Sequence, residues 1–242
     1  MSDSGLVRAA GRVVAQPSST STKLSNRLRD LLYKLAAGWC TPAGLIVAFL
    51  IACCSLLSIT TSLPLGAYYW DLILYPDAAW RIRWGQAPFV DFFAPVGAYG
   101  YYAYVILEKI FPNGHMALLV NWTILLVATP LALHVANEVA KTSRAVVIIF
   151  TVVFIVLAAM PLNASAIFPM PAVDGYGAYN RHVVLLLYIL VGELALANRR
   201  TPHAVFLGVI LLALFHLKIT GFLVACGIVV HGILAGRIRM RK

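Results

Sequence analysis

The chain has 242 residues, 61% of them hydrophobic and only 12% charged, against roughly 45–50% and about 25% for a soluble domain. One water-surrounded core cannot hide that much apolar side chain, so an ordinary soluble protein is excluded. The net charge of +10 does not indicate nucleic acid, because Lys and Arg sit in short clusters between apolar runs, as in membrane-protein loops. The expected class is an all-α integral membrane protein with about six transmembrane helices and juxtamembrane interfacial helices in the first external loop.

Residues 1–40 are polar and basic, with Arg8, Arg12, Lys23, Arg27, Arg29 and Lys34 against Asp3 and Asp30. A cleaved leader would start its apolar core far earlier, so this segment reads as a cytoplasmic tail. Within it, 24–35 is suited to lie as a helix on the membrane surface. The transmembrane domain is 41–242. Its spans are expected near 42–63, 116–137, 145–162, 183–198, 204–217 and 219–236, from the length of apolar chain that crosses a bilayer.

The apolar stretch 204–236 is long for one span and short for two, and basic residues decide between them. Two helices turning near Lys218 leave fourteen Lys and Arg residues inside and five outside. They also place both termini in the cytoplasm. A single helix would put the basic C-terminus outside. The tyrosine-rich segment 96–111 is read as an interfacial helix, since half-buried rings with wet hydroxyls suit the headgroup layer. Cys40, Cys53, Cys54 and Cys226 lie in or beside apolar runs and read as buried small hydrophobes.

The external stretch 71–102 carries the chemistry. Asp71 opens a helix that Gly85 ends through a left-handed turn, and Pro88 and Pro95 keep the next segment extended around Asp91. Asp77 and Arg81 are spaced i,i+4 for a surface ion pair. Asp71, Tyr75, Ala78-Ala79, Gly85, Pro88-Phe89, Asp91-Phe92 and Tyr101-Tyr102 together resemble the first periplasmic loop of bacterial GT-C glycosyltransferases. That group contains the family 39 protein mannosyltransferases and the aminoarabinose transferase. Leu72 stands where a second acidic residue often follows, and Gly97-Ala98 where Gly-Pro is usual.

The resemblance, over about forty residues, implies a sugar transfer from a polyprenyl-phosphate donor to an acceptor on the external face of a bacterial inner membrane. It makes Asp71 the candidate general base; a carboxylate capping the N-terminus of the loop helix is the plainer role for it. Substrate-binding candidates are Asp91, Arg81, Arg83, Asp174, Asn180, Arg181 and Lys218, the cations facing a lipid phosphate. For Asp91 a turn, and for the basic residues simple anchoring at the membrane surface, are the competing roles. No cofactor is expected. The chain has no Asp-x-Asp motif and no metal-ligand spacing, so no metal is expected either.

Partners implied are membrane lipid and the polyprenyl-phosphate sugar, with no nucleic acid. Relatives of this kind usually carry about twice as many spans, so a missing C-terminal half or partner subunit is also implied. Two other functions stay open: a non-enzymatic membrane subunit of an envelope complex, and a small transporter using Glu193, His216 and Lys218. The plainer structural roles are that Glu193 pairs with Arg199 or Arg200, and that His216 and His231 make polar contacts within the bundle.

Overall fold

The computed structural model describes residues 41–65, 69–159, 162–165, 168–173, 177–196 and 204–238. The basic tail, Cys40, Asp174, Arg199, Arg200 and the last four residues lie outside these. The described chain is helical apart from one small strand pair, in the order α1 (Pro42–Ser58), α2 (Trp70–Arg83), α3 (Tyr99–Ile110), α4 (Met116–Trp122), α5 (Leu125–Ala140), α6 (Arg144–Ala159), β1 (Leu162–Ser165), β2 (Phe168–Val173), α7 (Ala178–Leu196), α8 (Ala204–Leu217) and α9 (Ile219–Leu234). Of these, α7 is by itself long and apolar enough to cross a membrane, and α4 with α5 passes as one bent pair. The other long apolar helices have 10–17 residues.

Helix α1 starts where Thr41 Oγ1 accepts from Gly44 N at 3.0 Å, ahead of Pro42 in the first turn. It ends at Ser58, short of the expected 63, where the backbone of Ile59 becomes extended. The expected segment 116–137 is two helices meeting at 41°. Thr123 Oγ1 donates to Val120 O at 2.8 Å, a back-bond that bends helices. Val127 N turns to Ile124 O, leaving the Thr123 carbonyl a long 3.4 Å contact from Leu126 N. The Tyr99 hydroxyl completes that carbonyl at 2.9 Å, a side chain inserted into a broken ladder.

Other buried polar groups tie neighbouring helices. Asn121 Nδ2 donates to Ala158 O at 3.1 Å, His182 Nε2 lies 2.9 Å from Asn121 O, and the Tyr188 hydroxyl donates to Phe150 O at 2.9 Å. The first two give buried polar side chains a partner, and the third does so for a half-buried one. Cys53 is buried as expected, whereas Cys54 and His231 are exposed and Cys226 is half-buried. Glu193 is buried beside His134, 3.7 Å from its Nε2.

Three loop expectations change. The stretch expected to be irregular contains an antiparallel pair, Leu162 opposite Val173 and Ser165 opposite Phe168. Prolines 169 and 171 fit there because, among the described residues, β2 has a neighbouring strand on one side only. Helix α7 begins five residues earlier than the expected 183, taking Tyr179, Asn180 and Arg181 into its first turn. In α3, Tyr101 and Tyr104 are buried rather than wet. Both pack on Tyr75 of α2, with ring centroids 5.3 and 6.1 Å away. Gly85 ends α2 at φ +82, as expected.

Candidate functional site

Four chain segments meet at one end of the helix bundle. Asp71 lies half-buried in the first turn of α2. Its Oδ2 accepts from Gly177 N at 2.8 Å, the amide just ahead of α7. Gly177, at φ +65, sends its carbonyl to the Asn180 and Arg181 amides. The carboxylate therefore sits at the N-terminus of α7, where the helix dipole favours negative charge. The capping role falls on α7, across the loops, rather than on α2 itself.

One turn along α2, Tyr75 is 1% exposed, and its hydroxyl has no hydrogen-bond partner among the described residues. Burial first, then the Tyr101 phenol and the Asp71 carboxylate, push the Tyr75 phenol far above its ordinary range, while Arg181 draws it back. Tyr101 is equally buried, and its hydroxyl faces the Val96 backbone without reaching hydrogen-bond geometry. Burial pushes it up to about 12. Both phenols are protonated at neutral pH and stand near the Asp71 carboxylate, Tyr75 also near Arg181.

The fourth segment is the turn between α8 and α9. Lys218, the single residue between them, is extended at φ −163. Its Nζ donates to Asn180 Oδ1 at 2.6 Å and stands 4.7 Å over the Tyr179 ring. The first loop reaches the same turn through Gly97, whose N–H donates to Leu217 O at 3.1 Å. Here only glycine fits, because an added Cβ would strike the His216 carbonyl.

Thus Asp71, Asn180, Arg181 and Lys218, candidates spread over 71–218, come together. Arg81, Arg83 and Asp91 do not join them. Arg81 Nε pairs with Asp77 at 3.0 Å, and its guanidinium lies 5.4 Å from the Phe92 ring centroid. Arg83 pairs with Glu108 at 3.1 Å. Asp91 Oδ2 accepts from Ala87 N at 2.7 Å, closing a tight turn. Each has a local structural task along the far half of α2 or beyond it. Asp174 lies outside the described residues.

Tyr75, Tyr101, Tyr179 and the Gly177 amide were not among the sequence candidates. The i,i+4 spacing of Asp71 and Tyr75 was the available signal, since it places both on one helix face. Among the described residues no group of three or more His, Cys, Asp or Glu could hold a metal ion. A half-buried carboxylate and two cations can take a proton from a hydroxyl and neutralise an anion, while the two phenols, their oxygens buried, back the carboxylate. No family model matches the chain, and no curated protein or solved structure does.

Proposed function

We propose that this chain is a multi-pass membrane protein that transfers a sugar from a polyprenyl-phosphate donor to an acceptor hydroxyl at the external membrane surface, alone or as the N-terminal half of a larger enzyme. The convergence of Asp71 with Tyr75, Tyr101, Arg181 and the Lys218–Asn180 pair carries this reading. The expected topology puts the loops after the first and third spans and the Lys218 turn on one side of the membrane, and these are the segments that meet.

In this reading the Gly177 bond orients the carboxylate, and Oδ1 of Asp71 takes the proton of the attacking hydroxyl. The new bond forms at the sugar's anomeric carbon as its bond to the phosphate oxygen breaks. The departing lipid phosphate keeps the electron pair, and Arg181 and Lys218 offset its charge. A lipid-tailed donor also suits an open apolar groove of about 570 Å³ that runs from His216 between Tyr102, Ile106, Leu126 and Leu212. Its walls are almost wholly hydrocarbon.

A second reading, a non-enzymatic subunit of an envelope complex, is favoured by one observation. The same contacts, Asp71 to Gly177 and Lys218 to Asn180, also close the bundle end as structural ties.

The test is titration of the detergent-purified chain with a polyprenyl phosphate, comparing wild type with Asp71→Asn and Lys218→Ala. Binding that survives Asp71→Asn and weakens in Lys218→Ala is expected. Binding no stronger than to an unrelated multi-span protein would remove the donor site from this chain.

A further inference from the structure

Helix α2 has two apolar faces. Leu72, Tyr75, Ala78 and Ala79 are buried, with Tyr75 against α3. The opposite stripe, Trp70, Ile73, Trp80 and Trp84, recurs at helical spacing and is exposed, Trp84 by 73%. It holds three of the five tryptophans in the chain.

Just beyond α2, the turn 87–92 is closed by Asp91 on Ala87 N and by Phe89 N on Phe92 O at 3.0 Å. This rigid turn and its neighbour present Phe89, Val90 and Phe93, the last two 82% and 87% exposed. Phe89 has φ +68, the one non-glycine residue at positive φ among the described residues. A bulky side chain occupies that region only where its surroundings force it, and such strain collects at functional positions. Arg81 joins the two parts, bound to Asp77 on the stripe and lying over Phe92 of the turn.

We propose that the outer stripe of α2 and the 87–93 turn form one wedge seated in the outer headgroup layer of the bilayer, with Phe89 and Val90 reaching the acyl chains. This rests on the membrane-spanning part of the reading above. Two observations choose lipid over a protein partner. The charges on the patch are already satisfied inside the chain: Asp77 with Arg81, Arg83 with Glu108, and Asp91 on a backbone amide. None is held out for a complementary protein, whereas amphipathic Trp rings and paired Arg stems suit the headgroup layer. The turn is also continuous with the outer apolar surface of the α8–α9 hairpin, since Phe89 lines one shallow trough with Phe215 and Ile219. Both of these are exposed residues that a spanning hairpin turns toward lipid.

The test places a nitroxide at Val90→Cys in the full chain, with Cys40, Cys53, Cys54 and Cys226 changed to Ser. The host is vesicles of phosphatidylcholine and phosphatidylglycerol. A second label at Val152→Cys, exposed on α6, reports on the spanning helices. Oxygen, which concentrates in the bilayer, should relax both labels several-fold more than a water-soluble nickel chelate does. Adding Phe89→Gly, which releases the strained backbone, should move the Val90 label toward the chelate while Val152 stays unchanged.

A chelate-accessible Val90 beside an oxygen-accessible Val152 overturns the wedge and leaves the spanning reading intact. Protection of Val90 from both reagents overturns it in favour of a second copy or a protein partner. Chelate access at both labels removes the spanning reading and the wedge with it.

Discussion

Replacing Gly97 with alanine tests the backbone contact that keys the first loop to the Lys218 turn. An alanine Cβ would land on the His216 carbonyl and lie 2.8 Å from the Leu217 nitrogen, all backbone atoms at the end of α8. No rotamer change relieves such a clash, so the loop must lift from the helix. Lifting it removes the Gly97 N–H bond to Leu217 O, worth about 1 kcal/mol. Overpacking adds about 1–3 kcal/mol, so the variant should lose about 2–4 kcal/mol. At about 2–4 °C per kcal/mol for a chain of this size, the unfolding midpoint should fall by about 10 °C.

The assay is tryptophan emission of the detergent-solubilised protein during heating, since Trp70, Trp80 and Trp84 report on the loop itself. Gly208→Ala is the matched control: it lies within α8, and an added Cβ there meets nothing within 4 Å. That change should leave the midpoint level or raise it, because alanine favours helix over glycine by up to about 1 kcal/mol. Equal midpoints for the two variants would refute the proposed docking of the loop on α8.

Tyr99→Phe should cost about 1–2 kcal/mol in the same assay, because it strips the Thr123 carbonyl of its 2.9 Å donor at the helix break. Thr123→Val, which removes the bending back-bond, should be the milder change of the two. Asp71→Asn keeps an oxygen for the Gly177 amide, so the melting midpoint should hold while any sugar transfer falls by about 10²–10⁴-fold; unchanged transfer would take the base role from Asp71. Tyr101 and Tyr104, both raised to about 12 by burial, should titrate late in a tyrosinate absorbance titration. Because their folded values lie above the ordinary 10.0, their contribution to stability is whole below pH 10. It is lost as the pH rises from there through about 12, and a single unshifted tyrosine transition would contradict their burial.

Local chemistry made much of this chain legible in order along the sequence. Apolar runs separated by basic clusters locate many of its helices. Gly85 marks a stop, and the Asp77–Arg81 spacing an ion pair. The division of 204–236 at Lys218 follows from where basic residues would otherwise fall, and the two helices Ala204–Leu217 and Ile219–Leu234 flank that residue. Each of these depends on groups within one or two turns of each other, so chain order carries the information.

Tertiary structure decided what chain order cannot carry. Asp71 and Gly177 are 106 positions apart, and Asn180 and Lys218 are 38 apart; only packing makes them neighbours. Arg83 reads as a free cation because its competing partner, the Glu108 carboxylate, lies in a later segment, and the same is true of the Phe92 ring that Arg81 adds to its local Asp77 partner. Tyr101 and Tyr104 read as surface residues because a tyrosine-rich helix suits an interface. Burial followed instead because Tyr75 of α2 packs against both. Side-chain type and spacing state what a residue can bind, and the fold selects among those partners by bringing one within reach.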